Sequence, residues 1–438
     1  MKTKITFLIT HPLFSGSAIM IIGSNSISFL NYLYHLIMGR LLGPTNYGEL
    51  ASIISVIGLL GVIPLSMSIV IIKYVSSAQD REEIGGIINW FQRKLIILSI
   101  ITTIPLILFA PSIASFLHID NVFLIILAIL LFVISIISLI YRSALQGLLQ
   151  FKKFVVTLLF ENSAKLIITI ILVYLGFQVL GAVSALVLSA ILGVFISRYY
   201  IEDYLTIKAR LSKNIKAILL YSLPVAIQSI AITSLYSTDV ILVKHFFSSH
   251  DAGIYASLST LGKIIFFGTG PIGSVMFPLV SKRHAKGENF QKIFLYSLIS
   301  TITLSLILLF IYWLFPVVVI KLLYGSLYLE GSNLLVWLGI FMTLFTLSVL
   351  FITFNLSLGK TRVVILPMIA ALLQAGMIWL FHYSLMTVIT ISIVVNALLL
   401  VSLIIYSNFE RNFYYGQKSN GDKSYIKDEI DIYNSSGV

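Results

Sequence analysis

The chain has 438 residues, 58% of them hydrophobic and only 11% charged, with a mean hydropathy of +1.02. So small a charged fraction cannot cover a water-exposed globule, for which about 25% is usual, so an ordinary soluble enzyme is excluded and the chain is assigned to a bilayer. No cysteine is present, which excludes disulfides, thiolate zinc sites, iron–sulfur clusters and Cys nucleophiles.

Twelve apolar runs, each near the roughly 20 residues that cross about 30 Å of hydrocarbon, recur from end to end. They lie near 14–39, 47–72, 88–110, 122–141, 155–175, 180–197, 217–243, 252–281, 293–318, 333–356, 363–381 and 387–406. The first follows Lys2 and Lys4 but is too long for a signal peptide, and no small-x-small cleavage site closes it, so it is expected as a helix of the mature protein.

With the N-terminus in the cytoplasm, the inner loops, tails and inner ends of the runs collect 24 of the 29 basic residues, Lys73, Arg93, Arg142, Lys152, Arg283 and Lys360 among them. The outer loops hold Arg40, Lys244 and Lys321, and Lys165 and Lys263 lie inside runs. This asymmetry predicts a multi-pass protein of the cell (cytoplasmic or inner) membrane with both termini cytoplasmic. It also accounts for the formal net charge of +12 without a nucleic-acid partner.

The amphipathic stretch 198–216 is expected to lie on the inner leaflet as a linker between lobes 1–197 and 217–406. The segment 407–438, rich in Ser, Asn, Gly and mixed charges, reads as a disordered cytoplasmic tail. The lobes repeat. A shift of 204 residues places Ser24 on Gln228, His35 on Asp239 and Arg40 on Lys244. One residue more aligns Gly48, Ala51 and Ser52 with Gly253, Ala256 and Ser257. Six crossings per half is an even number, so the halves are parallel repeats about an axis along the membrane normal, an arrangement that places a substrate site between them.

Enzyme signatures are missing: the sequence holds no phosphate loop, paired-glycine nucleotide fingerprint, HExxH or GxSxG. The expectation is a non-enzyme without ATP drive, metal or cofactor, H+ or Na+ being the candidate coupling ions. His245, His250 and Asp251 are metal-ligand types, but they read as a solvated outer loop.

Functional weight falls on ionisable residues inside the runs, which are costly in lipid and face a bundle interior or a wet cavity. Lys165 and Lys263 give each half one mid-membrane cation. Glu161 stands four residues before Lys165, an order that suits either a structural pair or an ion-coupling site. Lys263 has no carboxylate within a helical turn, which favours a cavity. Ser24, Ser28, Asn31 and His35 recur at i, i+4, i+7 and i+11, a polar stripe that lines a cavity or glues helices. His35 and Asp239 are further coupling candidates, against the simpler role of hydrogen bonding. Arg40 and Lys244 stand just outside as substrate-facing cations, an outer gate or interfacial anchors. Gln228, Asn355, Gln374 and Asn396 read as helix glue, with Gln228 also a cavity-lining candidate through its match to Ser24. Pro64 and Pro271, in the second helix of each half, are the expected hinges.

GRLLGPTNYGELAS at 39–52, YRSALQGLLQFKKF at 141–154 and NLSLGKTR at 355–362 are similar to segments of the bacterial and archaeal polysaccharide flippases. These belong to the MOP superfamily, which also holds the MATE drug exporters. The resemblance spans the whole chain. It implies an all-α integral membrane fold of two six-helix lobes in a V around a cavity that opens alternately to either side. It also implies transfer of a polyprenyl-diphosphate-linked oligosaccharide to the outer leaflet, alongside the polymerase and glycosyltransferases of the same pathway. Lys165 and Lys263 suit the anionic diphosphate, since flexible point charges hold phosphate without demanding one sugar geometry. A MATE-type cation-coupled multidrug exporter is the main alternative, but its site should be lined by carboxylates, and only Glu161 and Asp239 lie inside runs more than a turn from a boundary. A membrane-embedded glycosyltransferase or ligase should carry a large catalytic outer loop, and the outer loops here are short.

Overall fold

The computed structural model describes residues 12–78, 80–206, 215–286 and 288–419, and every regular element among them is helical. Hydrocarbon offers backbone groups no hydrogen-bond partner, and a helix satisfies them within its own segment.

Helix α1 (Pro12–Leu60) contains the first run and most of the second, turned at Gly43, whose φ of +69° favours glycine, with Pro44 opening the next segment. Helix α2 (Val62–Ser76) completes the second run after a break at Gly61, and Pro64 is its third residue. Helix α3 (Arg81–Leu108) is capped by Asp80, which accepts from the Glu83 amide at 2.7 Å, and the short α4 (Ala110–Phe116) follows it. Helices α5 (Val122–Gly147), α6 (Phe151–Leu172) and α7 (Gln178–Leu205) complete the first half. A π-turn at Val173–Phe177 reverses the chain between α6 and α7, with φ of +91° at Gly176.

The second half comprises α8 (Ile215–Phe246), α9 (Ser249–Ala285), α10 (Gln291–Leu314) and the short α11 (Pro316–Leu323). A 3-10 segment (Ser326–Leu334) leads to α12 (Leu335–Ser357), α13 (Ile365–Leu380) and α14 (Leu385–Ser419).

Among the described residues, eight helical stretches are long and apolar enough to cross a membrane, and one of them, Phe151–Leu205 with 55 residues, holds both the fifth and sixth runs. The first, second and seventh runs fall in α1, α2 and α8. Two boundaries differ from expectation. Helix α7 continues through the first part of the expected linker because Ile201 is buried in the first half's core, and α14 passes the expected end at 406 and reaches Ser419. Lys2, Lys4, residues 207–214 of the linker and residues 420–438 of the tail lie outside the described residues.

The repeat is visible in elements that the hydropathy pattern does not reveal. After its third crossing each half adds a short helix, α4 in one and α11 in the other, and both carry proline in the first turn. At the expected outer end one apolar core joins both halves, with Tyr34, Met38 and Leu50 packed together with Leu258, Tyr328 and Phe341. Toward the other end the core divides. Val70, Ile88, Phe132 and Ile140 cluster within the first half, and Met276, Val280, Leu350 and Phe354 within the second. The halves stay in touch there along one flank, where α2 runs against α8.

The repeat-matched glycines meet each other. A Cβ on Gly48 would strike the backbone of Gly253, and a Cβ on Gly253 would strike the carbonyl of Pro44. Gly253→Ala should therefore lower the thermal midpoint of the solubilised protein, by the equivalent of about 1–3 kcal/mol of overpacking. Gly58→Ala, whose methyl meets open space, should not. Equal midpoints for the two variants would contradict the backbone contact.

Candidate functional site

Two lysines, one from each half, lie within electrostatic reach of one histidine among the membrane-spanning helices. Lys165 of α6 reaches across to α1, its Nζ donating to Asn31 Oδ1 at 2.5 Å and to Asn162 Oδ1 at 2.9 Å, and it lies 4.9 Å from the centroid of the Tyr34 ring. Lys263 of α9 lies 5.4 Å from the Tyr236 ring centroid and makes no hydrogen bond or ion pair among the described residues. His35 of α1 is within electrostatic reach of both lysines. Its Nδ1 contacts the Tyr47 hydroxyl at 3.1 Å. The lower part of the polar stripe remains open: Ser24 and Ser28 are exposed, and Gln228 on α8 is half-buried.

Above this level the halves are tied by phenols. Tyr47 Oη contacts Tyr324 Oη at 3.1 Å and Thr260 Oγ1 at 3.3 Å, Tyr32 donates to the Thr260 carbonyl at 2.7 Å, and Tyr328 donates to the Gly39 carbonyl at 2.7 Å. The tyrosines carry no hydropathy signal, and only the close pair Tyr324 and Tyr328 in YGSLY marks them in sequence.

Arg40 and Lys244, the matched pair read as substrate-facing cations, an outer gate or interfacial anchors, each bond to the opposite half. Arg40 donates to the carbonyls of Lys321, Leu322 and Leu323, at the C-terminal end of α11 in the opposite half. Lys244, buried, donates to Ser249 Oγ at 2.5 Å and to the carbonyl of His118, just past the end of α4 in the first half, at 3.5 Å. Each half thus grips the end of the other's short helix, where carbonyls lack intrahelical partners and the helix dipole favours a cation. His245 joins them, its Nδ1 2.6 Å from the Phe116 carbonyl and its ring stacked 3.9 Å from that of Phe116.

Glu161 does not pair with Lys165 within its own helix. Arg142 takes it, at 2.5 Å. Arg142 is buried in α5, five residues before its end, and does not lie in the expected inner loop. The pair has space because Gly193 of α7 faces it, and a Cβ there would collide with the Glu161 carboxylate and the Arg142 guanidinium. Arg142 also approaches the Thr157 carbonyl at 3.4 Å.

Asp239 of α8 is buried, its Oδ2 accepting from Tyr255 Oη at 2.7 Å while its Oδ1 has no partner among the described residues. Gln374 donates to the Leu235 carbonyl and to Ser392, and Asn355 donates to Ser407, so these amides join helices as expected. Asn396 likewise donates to Gln374 at 3.4 Å. Asp251 and Ser248 cap the start of α9, and His250 stands 4.0 Å from Glu330. No group of three metal-ligand side chains occurs among the described residues. Pro64 follows the break at Gly61, whereas α9 is continuous through Pro271.

In α9, below Lys263, a cleft of about 500 Å³ opens against α10 and α12, lined by Phe266, Gly270, Phe277, Thr301, Thr346 and their neighbours.

A family profile described as "Polysaccharide biosynthesis protein" matches residues 15–284. No curated protein sequence matches the chain. Among solved structures, the fold resembles a multidrug resistance MATE family transporter of the MOP superfamily in an inward-facing conformation. That match is 17% identical, with a TM-score of 0.70, and covers 89% of this chain and 96% of the other. The lipid II flippase MurJ in an inward closed conformation is 16% identical, with a TM-score of 0.68 and coverage of 88% and 87%. An outward-facing MATE transporter is 15% identical, with a TM-score of 0.62 and coverage of 92% and 97%.

Removing Arg142 alone strands a carboxylate inside the bundle. Arg142→Ala should cost about 3–5 kcal/mol of stability, and the double variant Arg142→Met/Glu161→Gln should recover most of it. Thermal and denaturant unfolding of the solubilised proteins checks this; a single variant as stable as the double one would show that the pair is dispensable.

Proposed function

The chain belongs to the polysaccharide biosynthesis protein family, and from that premise we propose that it is a flippase. Its cargo in this reading is a polyprenyl-diphosphate-linked oligosaccharide, moved from the cytoplasmic to the outer leaflet of the cell membrane by alternating access. One observation carries the reading: Lys165 and Lys263, one from each half, both lie within electrostatic reach of His35, and neither is ion-paired among the described residues. Each feels a carboxylate at a distance, Glu161 for Lys165 and Asp239 for Lys263, but neither is bonded to one, so both are free to hold the anionic diphosphate while the chain of the cargo stays apolar. A site built for cationic drugs would present carboxylates, and here Arg142 holds Glu161.

The closed end is then the outer end, as the basic-residue asymmetry requires, and the cavity faces the cytoplasm, where the cargo is made. Asp239 is the coupling residue this reading prefers, because its unpartnered Oδ1 is an acceptor for H+ or Na+. Glu161 is already neutralised, and His35 is bonded to Tyr47. Pro64 and Pro271 are the flex points of the two second helices, and the oligosaccharide's polymerase and glycosyltransferases are the working partners.

Native mass spectrometry of the gently solubilised protein tests the cargo. The wild type should retain a polyprenyl-diphosphate glycolipid that Lys165→Ala/Lys263→Ala loses; absence of glycolipid together with retention of an added cationic dye would favour drug export instead. In proteoliposomes each single lysine variant should lower translocation by about tenfold or more while folded yield holds, the scale of one lost charge-assisted hydrogen bond. Equal loss of yield and transport would make that lysine structural.

A further inference from the structure

The cleft begins one helical turn beyond Lys263, at Phe266. Lys263 and Gly270 are seven residues apart on α9 and so share a face. The Tyr236 ring that sits under Lys263 Nζ has its centroid 6.0 Å from that of Phe266, and Phe266 forms the top of the cleft. From there the cleft runs down α9 past Gly270 and Gly273 to Phe277.

Its wall has little to offer a sugar. Thr269, Ser274 and Thr353 spend their hydroxyls on carbonyls of their own helices, and those of Thr301 and Thr346 are buried, without a partner among the described residues. What remains is apolar surface beginning one helical turn from a cation. Carbohydrate recognition needs convergent polar groups, whereas a hydrocarbon chain needs only apolar wall and room.

We propose that this cleft holds the polyprenyl chain of the cargo, threaded from a diphosphate on Lys263 down between α9, α10 and α12. The inference rests on the cargo reading above and deepens it: the chain is gripped by the second half and does not trail freely in the bilayer. The charge of Lys263 fixes which end of the chain enters, and the openings beside Gly270 and Gly273 supply the space.

The test uses the full-length protein with undecaprenyl diphosphate and, as a chainless probe, inorganic diphosphate. Gly270→Leu places a side chain into open space, so folding is preserved, and it fills the cleft. Gly273→Leu is the second filling variant, and Gly268→Leu, also in open space but outside the cleft, is the control. Both filling variants should bind undecaprenyl diphosphate at least about tenfold more weakly, since several methylenes lose their burial, while inorganic diphosphate binding and thermal midpoint stay at wild-type values. Gly268→Leu should bind both probes like the wild type. Filling variants that bind undecaprenyl diphosphate normally overturn the inference. If those variants instead shed a co-purifying phospholipid, the cleft belongs to a bilayer lipid and the inference fails. Failure of the wild type to bind either probe overturns the cargo reading itself, a result distinct from loss confined to the filling variants.

Discussion

The two halves of the molecule meet backbone to backbone, at Gly48 and Gly253. No side chain fits between them, so α1 and α9 approach as closely as helices can, and the rest of the outer closure is arranged around that point. Helix crossings of this kind depend on small residues because packing in hydrocarbon gains nothing from apolarity alone. The reciprocal grip of Arg40 on the end of α11 and of Lys244 on the chain after α4 follows from it, since the pseudo-twofold through the glycines brings each cation to the other half's short helix.

The same geometry decides where charge is left over. Within the first half, Arg142, Glu161 and Gly193 make a closed set in which opposite charges cancel and a glycine leaves the volume they need. Lys165 is thereby deprived of the carboxylate one turn away and turns to amide oxygens, which accept hydrogen bonds without neutralising it. Across the cavity Lys263 has an aromatic face and no bonded partner among the described residues. Its electrostatic partner is Asp239, which bonds to Tyr255, so neither lysine is neutralised by direct contact with a carboxylate.

Much of this was legible in sequence, for definite reasons. A crossing helix must be apolar over a fixed length, so the order of the apolar runs along the chain could be read off directly. The repeat was legible because fold symmetry places equivalent residues at equivalent positions, Gly48 with Gly253 and Arg40 with Lys244. Partner choice was not. Glu161 and Lys165 are correctly spaced for a pair along one helix, yet a guanidinium from the preceding helix reaches the carboxylate in the packed bundle, and sequence spacing contains no term for a neighbour across a turn. Arg142 resembled a loop residue because basic side chains usually end a span, and α5 runs five residues beyond it. The tyrosine ties escaped for a similar reason, since a phenol is apolar enough to pass as core until its partner is seen.

The composition of the closed end carries a thermodynamic consequence. Its crossing bonds run from phenols, an arginine, a lysine and a histidine to hydroxyls and carbonyl oxygens. Bonds of this kind exchange for water at small net free energy, about 0.5–1.5 kcal/mol each when neutral, whereas separating a buried ion pair would strand two charges. The seam is therefore held by many individually weak bonds, and its two cations, Arg40 and Lys244, rest on carbonyl oxygens of the opposite half and not on carboxylates.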